Sequence, residues 1–303
     1  MSGPAPSAPA PRRYAAHEAL VAPGRSRPEL WRLGLGIVLA VATTFLIGQI
    51  ALTTALILGG TDTLTTLITG EGPQGLILLL MAMGGMALGA ALAARLLHSR
   101  SFGSLLGPRA AFVPQFLNVL LWTGAINLGV VVFVYGLGDM ELQENLPMGR
   151  WLGLLPLAIV AILIQTGSEE ILFRGYLQSQ LAARFRSRLV WMLVPSAAFA
   201  LGHFAPAAYG GNALSIVAWT FAFGLAAADL TARAGTLGPA IALHFTNNAI
   251  VLLWVSLDGP MSGLARYTLP FGADDVDAVS AAMPVDFALL GIGWLAARVA
   301  IRR

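Results

Sequence analysis

Two adjacent carboxylates and an arginine are the residues of this chain whose types and spacing best suit chemistry. Glu169, Glu170 and Arg174 follow the run 151–165, which is almost wholly apolar. If that run crosses a membrane, a charged side chain at its centre costs roughly 2.5–3.5 kcal/mol on insertion scales. Residues kept at such a cost are functional candidates by default. The pattern therefore indicates a functional site.

The spacing of these groups predicts different roles for the two carboxylates. On a helix, Glu170 and Arg174 lie four residues apart on one side, in the acid-before-base order that favours an ion pair. Glu169 points about 100° away. We therefore expect Arg174 to hold Glu170 ionised, while Glu169 acts as a general base. The structural alternative is a buried ion pair beside a carboxylate at a helix end.

Two histidines and an asparagine lie in the apolar runs that follow. His203 comes four residues after Phe199, and His244 comes four residues before Asn248, so each pair shares one side of a helix. A lone histidine on an apolar helix is more often a satisfied core residue than a catalytic one. Buried polar groups must nevertheless find partners, so we expect these side chains to meet one another or water.

Together these groups fit activation of water followed by stabilisation of a tetrahedral oxyanion. A carboxylate takes a proton from water, and imidazole or carboxamide groups donate to the developing charge. The sequence has no Gly-x-Ser-x-Gly motif, no His-Glu-x-x-His motif and no cysteine. Zinc held by Glu169, His203 and His244 is an alternative, since two histidines and a glutamate form a known catalytic set. No motif spacing supports zinc, so we expect neither a metal nor a cofactor.

The composition places these residues in a polytopic membrane protein. Of 303 residues, 57% are hydrophobic and 11% are charged, whereas about 25% charged is usual in soluble domains. The mean hydropathy is +0.75, and several apolar runs are long enough for a helix to cross a bilayer. We therefore predict an all-α bundle of transmembrane helices in contact with lipid. The basic residues are spread through short loops, so nucleic acid is not an expected partner.

About eight transmembrane helices are predicted in a single membrane domain covering residues 31–303. The expected spans are 32–58, 74–97, 113–137, 151–173, 189–206, 213–232, 236–257 and 284–301. Residues 1–30 are rich in Pro, Ala and Ser and are expected to form a disordered cytoplasmic tail. The fourth to seventh spans carry nearly all the ionisable groups within apolar sequence. Residues of about 150–255 are therefore the expected catalytic core.

The charges of the loops predict the orientation of the chain. All eighteen basic residues are arginines, and most lie in the tail, in alternate loops and at the C-terminus, whereas the intervening loops are acidic. By the positive-inside rule, both termini lie in the cytoplasm. Counting about 1.5 Å per residue places Glu169 near the cytoplasmic boundary and His203 roughly 20 Å deeper. The two residues meet only if one of these helices is tilted, broken or differently bounded.

The three motifs resemble, in order and rough spacing, the signature of the CPBP family, the CAAX prenyl proteases and bacteriocin-processing proteins. Its members are also called type II CAAX endopeptidases or ABI-type intramembrane glutamic proteases. The matching motifs are Glu169-Glu170-x-x-x-Arg174, Phe199-x-x-x-His203 and His244-x-x-x-Asn248, with the flanks Ile-Leu-Phe-Arg-Gly and Ala-Leu-Gly-His-Phe. The resemblance covers roughly residues 150–255.

The resemblance implies an all-helical membrane bundle with a cavity open to the cytoplasm and a peptidase that needs no metal. The implied site consists of the water-activating Glu169, the assisting His203, the supporting Glu170 and Arg174, and the oxyanion-stabilising His244 and Asn248. Eukaryotic members remove a C-terminal tripeptide after a prenylated cysteine, and prokaryotic members act on other peptides. The implied partner is therefore a peptide or a prenylated protein. The family's distribution favours the inner, cytoplasmic membrane of a bacterium.

Two other functions stay open from the residues alone. A proton-coupled transporter could use Glu169, His203 and His244 as a relay. It predicts inverted repeats and interrupted helices in both halves of the chain, and neither is visible in the sequence. A non-catalytic membrane scaffold could lose Glu169 without penalty, so the intact motifs count against it. The predicted function is an intramembrane endopeptidase acting on a membrane-associated or lipidated peptide.

Overall fold

The computed structural model describes residues 13–136 and 141–302 of the chain. The helices are α1 (Glu18–Val21), α2 (Leu30–Thr69), α3 (Pro73–Ala82), α4 (Gly84–His98), α5 (Gly103–Leu106), α6 (Arg109–Val130), α7 (Met148–Glu170), α8 (Ser179–Arg184), α9 (Arg188–Leu201), α10 (Pro206–Tyr209), α11 (Ala213–Ala234), α12 (Gly238–Ala249) and α13 (Val276–Ala300). Short 3-10 helices cover Ala15–His17, Ala22–Gly24 and Gly210–Asn212. Three π-helical stretches cover Val131–Gly136, Ile171–Gln178 and Ile250–Trp254. The predicted all-α class is confirmed.

A small sheet accompanies the helices, which the sequence did not predict. Its strands are β1 (Gln143–Glu144), β2 (Val255–Asp258) and β3 (Tyr267–Gly272), in the order β1-β3-β2. β1 pairs antiparallel and β2 pairs parallel to β3, so Tyr267 lies opposite both Glu144 and Val255. The sheet joins two connections that are distant in the sequence.

Within residues 13–136 and 141–302, six helical stretches are long and apolar enough to cross a membrane, so the chain is a multi-pass membrane protein. They are Leu30–Ile57, Pro73–His98, Arg109–Phe133, Met148–Arg184, Pro206–Ala234 and Val276–Ala300. The predicted fifth span corresponds to α9, which has 14 residues. The predicted seventh span corresponds to α12 and its π-helical continuation, which ends at Trp254. The count of eight is therefore not confirmed.

The described part of the N-terminal segment, from residue 13 onward, contains short helices within the stretch 1–30 that was expected to form a disordered tail. Residues 15–24 form three consecutive short helices, and Leu20 among them is fully buried. The buried side chain of Arg100 donates from Nη2 to Leu20 O at 3.1 Å. A few apolar residues thus anchor a stretch whose composition suggested disorder. Residues 1–12 lie outside the described residues.

The N-terminal segment and the connections at one face of the bundle carry seven of the eighteen arginines, and we call it the arginine face. It holds the N-terminal segment 13–27 and the connections 99–108, 184–188 and 235–237. Leu237 N donates to Leu106 O at 3.0 Å within this face. Its arginines are Arg13, Arg25, Arg27, Arg100, Arg184, Arg186 and Arg188.

The opposite face, which we call the acidic face, holds the connections 70–72, 141–147, 202–212 and 255–275. Met261 N donates to Thr69 O at 2.9 Å, and Asn145 Nδ2 donates to Ser262 O at 2.8 Å. These bonds show that loops far apart in sequence meet here. The acidic residues of this face are Glu71, Glu141, Glu144, Asp258, Asp274 and Asp275.

Candidate active site

The helix that carries the paired carboxylates is longer than the sequence predicted. α7 continues through a π-helical turn into α8, so one helical stretch covers Met148–Arg184. Glu169 lies fifteen residues before the arginine-face end of that stretch, about 22 Å deep. His203 lies fifteen residues after Arg188, at about the same depth. The expected difference in depth between Glu169 and His203 is therefore absent.

Glu170 and Arg174 form the ion pair that their spacing predicted. Arg174 donates from Nη1 to Glu170 Oε1 at 3.0 Å, and both side chains are fully buried. Arg174 also donates from Nη2 to Gly224 O at 3.2 Å. Its guanidinium carbon lies 4.6 Å from the centroid of the Phe199 ring. These contacts anchor Glu170 between the helices α7, α9 and α11.

His244 lies between the two adjacent carboxylates. Its Nδ1 lies 2.8 Å from Glu170 Oε1, and its Nε2 lies 3.5 Å from Glu169 Oε2. The imidazole packs edge-on against the rings of Phe199 and Phe223, with centroids 6.0 and 4.8 Å away. The sequence placed these groups in one site, but it did not predict that one imidazole would connect both carboxylates.

Gln165 joins Glu169 to the asparagine of the third motif. Gln165 Nε2 donates to Glu169 Oε1 at 2.9 Å, and Asn248 Nδ2 donates to Gln165 Oε1 at 2.9 Å. Asn247 Nδ2 donates in turn to Asn248 Oδ1 at 3.3 Å. The sequence analysis missed Gln165 as a site residue. Its position four residues before Glu169 was the available signal, because that spacing puts both side chains on one side of α7.

His203 reaches the same region but does not join the hydrogen bonds that connect Glu169, His244 and Asn248 within the described residues. Its Nδ1 lies 2.9 Å from Phe199 O, one turn earlier in the chain. The imidazole is half-buried and packs against the Phe199 ring at a centroid distance of 4.6 Å. This contact orients the ring. Nδ1 faces Phe199 O, and Nε2 is the ring nitrogen on the other side of the imidazole.

A cavity of about 420 Å³ brings four of the predicted site residues together. Glu169, His203, His244 and Asn248 all line it, whereas Glu170 and Arg174 are not among its lining residues. Most of the remaining lining is apolar or aromatic: Leu80, Met83, Phe199, Ile216, Trp219, Phe223, Val251, Leu252, Leu257, Met261 and Met283. The volume lies within the range of about 300–1,000 Å³ that is usual for ligand sites.

The cavity extends from the site toward the acidic face. Tyr209 and Met261 of its lining belong to acidic-face connections, and Leu257 belongs to β2 at the same face. The arginine distribution predicted cytoplasmic termini, and the family resemblance implied a cavity open to the cytoplasm. Because the cavity lining reaches the acidic face, cytoplasmic termini would place that end of the cavity on the side of the membrane opposite the cytoplasm.

The geometry offers limited support for the zinc alternative. Glu169 Oε2 and His244 Nε2 face each other at 3.5 Å, and His203 does not converge with them. Across the described ranges 13–136 and 141–302, no three His, Asp or Glu side chains are placed to hold one metal ion. The proposed ligand set of Glu169, His203 and His244 is therefore not assembled as a metal centre.

Comparisons with known proteins agree with the motifs. Residues 151–250 match the family described as Rce1-like, type II CAAX prenyl endopeptidase Rce1-like. The chain is also similar to the Bacillus subtilis (strain 168) protein described as "Uncharacterized protein YyaK", with 24% identity over 174 residues. That similarity covers 54% of this chain and 56% of the relative, so the chain spans about half the length of that curated protein. No solved structure matches the chain.

The fold and the site define a multi-pass helical membrane protein with polar groups buried around a central cavity. The family match confirms the resemblance that the motifs predicted, over residues 151–250. All six predicted site residues fall within that segment. The matched family is described as an endopeptidase family.

Proposed function

We propose that the chain is an intramembrane endopeptidase that hydrolyses a peptide bond of a membrane-associated or lipidated peptide, using water activated by Glu169. The observation that carries this proposal is the unequal placement of the two carboxylates. Glu169 lines the cavity, whereas Glu170 lies behind it in contact with Arg174 and His244. One carboxylate is thus available to a substrate while its neighbour positions the site.

Each of the two carboxylates has a buried Oε2 without a hydrogen-bond partner among the described residues, but only Glu169 of the pair lines the cavity. Its Oε1 accepts from Gln165, and its Oε2 has no hydrogen-bond partner among the described residues. That free oxygen takes a proton from a water molecule in the cavity, and the resulting hydroxide attacks the carbonyl carbon of the peptide bond. His244 Nε2, 3.5 Å from the same oxygen, limits where the carboxylate can point.

The hydrogen bonds refine the role expected for His244. An imidazole that donates from Nδ1 to Glu170 has, in its neutral form, an unprotonated Nε2. Neutral His244 is therefore a proton acceptor toward the cavity, not an oxyanion donor. The Nδ1 of His203 faces Phe199 O, so neutral His203 also has an unprotonated Nε2 when Nδ1 donates to that carbonyl. Both imidazoles then assist proton movement around Glu169.

Asn248 is the better placed donor for the oxyanion. One N–H of its carboxamide is used by Gln165, and Asn247 fixes the orientation of the group by donating to Asn248 Oδ1. The second N–H is available to the tetrahedral oxygen, which such donors stabilise as charge develops. Glu169 then returns its proton to the leaving nitrogen as the C–N bond breaks.

The cavity lining favours an apolar substrate segment. Met83, Met261 and Met283 contribute flexible thioether side chains, which adapt to apolar groups of different shape. Trp219 and Phe223 stack on each other at 5.7 Å and provide a rigid aromatic wall. A lipid chain or a run of apolar residues suits this surface.

Cleavage by the purified protein in detergent tests the proposed function. The substrates are a peptide library and a farnesylated C-terminal peptide, each incubated with and without a chelator. We expect chelator-resistant cleavage that is abolished in Glu169→Gln and in His203→Ala and is kept in Glu71→Gln, a matched change at an exposed carboxylate. Loss of cleavage with chelator alone would favour zinc. Proton flux without any cleavage would favour a transporter.

We also propose that both termini face the cytoplasm of a bacterial inner membrane, so that the cavity opens on the opposite side. The arginine distribution supports this orientation. Since the chain contains no cysteine, single cysteines report sidedness without background. Asp274→Cys on the acidic face should react with a membrane-impermeant maleimide in intact cells, and Arg186→Cys should react only after lysis. The reverse pattern would invert the orientation.

A further inference from the structure

One carboxylate of the last membrane helix is not used by the proposed mechanism. Asp286 lies on α13, on the same helical side as Val279 and Met283, which are both buried. Leu290, one turn further on, packs against a buried apolar cluster. Asp286 itself is exposed on the helix surface, and it lines the same cavity as Glu169.

Asp286 lies within an apolar helical stretch that is long enough to cross a membrane, where ionisable residues are rare. It lies ten residues after Val276, about 15 Å along the helix from the acidic-face end. An ionisable group at such depth in a membrane helix faces a bundle interior or a water-filled cavity and marks a binding or transport path. Asp286 lines such a cavity, and no described residue forms a hydrogen bond or ion pair with it.

The basic groups that line the cavity with Asp286 are the two histidines, His203 and His244. The cavity lining includes no arginine among the described residues, and the chain has no lysine. The lining's other carboxylate, Glu169, belongs to the hydrolytic site. The acidic face, at which the cavity opens, is itself rich in carboxylates. The carboxylates of this face outnumber its two arginines, Arg150 and Arg266, so a positively charged ligand group is attracted to the acidic face and toward Asp286.

We propose that Asp286 is a specificity-determining residue that binds a cationic group of the substrate peptide, a lysine or arginine side chain. This inference rests on the proposed peptidase function for the peptide nature of the ligand. The apolar wall of the cavity holds the neighbouring apolar residues, and the carboxylate selects a basic residue among them. An amphipathic segment, mostly apolar with one basic side chain, is the substrate class that fits.

Binding to a protein that cannot complete hydrolysis tests this subsite separately from catalysis. The probes are fluorescent peptides of alternating Leu and Ala, capped at both ends, with one central Lys, Gln or Glu. In the Glu169→Gln background in detergent, we expect the Lys peptide to bind about tenfold more tightly than the Gln peptide, as a charge-assisted contact provides. The Glu peptide should bind most weakly.

Three further variants in that background assign the preference to Asp286. Asp286→Asn should remove the difference between the Lys and Gln peptides, whereas Asp286→Glu should keep it. Asp277→Asn, a change at the first turn of the same helix and outside the cavity lining, should leave it unchanged. Equal binding of the Lys and Gln peptides, binding of neither, or a preference that survives Asp286→Asn would overturn the subsite. None of these binding results would change the cleavage measured for the protein with Glu169 intact. The Asp286 subsite and the proposed peptidase function are therefore tested independently.

Discussion

Two regions of the molecule bury different kinds of residue between their helices, small residues in one and polar or charged residues in the other. In the first, which we call the scaffold pair, α2 and α4 meet through small residues. A Cβ atom on Gly89 would lie 2.5 Å from Ala40 Cα, and one on Gly85 would lie 2.8 Å from Thr44 Cα. Such close backbone approach lets membrane helices associate by van der Waals packing without polar contacts.

In the second region, which we call the site core, polar side chains occupy the space between helices. Its members are Gln165, Glu169, Glu170, Arg174, His244 and Asn248. Charged groups in a bundle interior cost free energy unless they are paired, and Glu169 Oε2 has no hydrogen bond among the described residues. The comparison indicates that the scaffold pair is built for stability, whereas the site core gives up stability for chemistry.

The largest expected effect on stability comes from breaking the buried ion pair. Arg174→Met should destabilise the protein by about 3–5 kcal/mol, because Glu170 is left as a buried charge without its guanidinium. Unfolding in detergent measures this, with Arg150→Met on the acidic face as the control. The double variant Glu170→Gln, Arg174→Met should recover part of the loss. If the single variant is as stable as the wild type, the pair does not hold the site together.

The scaffold pair should respond to added volume. Gly89→Ala places a methyl group against the backbone of α2 and should cost about 1–3 kcal/mol, while the activity per folded molecule stays unchanged. Gly34→Ala is the matched control, because nothing lies within 4 Å of its added Cβ. Loss of specific activity in folded Gly89→Ala protein would show that the scaffold pair also shapes the site.

Gln165 should matter for rate more than for substrate binding. Gln165→Leu removes the bonds that orient both Glu169 and Asn248, and a small displacement of such groups lowers rates on the order of 10²-fold. We expect this loss in kcat with KM nearly unchanged. Gln115→Leu, which affects a hydrogen bond to Thr236 at the arginine face, should have no such effect. A change in KM alone would assign Gln165 to substrate binding instead.

The N-terminal segment should loosen in mild acid. Burial lowers the pKa of His17 from 6.5 to about 4, with a smaller opposing effect of the Glu18 charge. Unfolded His17 therefore binds a proton at a higher pH than folded His17 does, so the stabilisation is complete above pH 6.5 and falls as the pH drops toward 4. Hydrogen exchange of residues 15–24 should accelerate over this range in the wild type and not in His17→Phe.

The local spacing of charged residues was the most informative part of the sequence. A four-residue step fixed the Glu170–Arg174 contact, because helix geometry places such residues together whatever surrounds them. The proximity of Glu169 and His244 followed from the need of buried polar groups to find partners. These inferences used only the local helix and the membrane environment.

Features that depend on the packing of distant segments were not predictable in this way. Arg174 interrupts the hydropathy of its run, so the predicted fourth span stopped at residue 173, whereas buried partners allow the helix to continue to Arg184. The short helices of residues 15–24 contact Arg100, which donates to Leu20 O from 80 residues away in the sequence. Asp286 lay inside a predicted span without a motif around it, and only the orientation of α13 shows that it faces the cavity.

The central claim is that Glu169 is kept for chemistry and not for stability. The most direct measurement is the thermal unfolding midpoint of Glu169→Gln, determined on the same preparation as its cleavage rate. Since a neutral amide replaces a carboxylate that lies beside another carboxylate, we predict an unchanged or higher midpoint together with loss of cleavage. Retained cleavage, or a midpoint lowered as far as in Arg174→Met, would contradict the account.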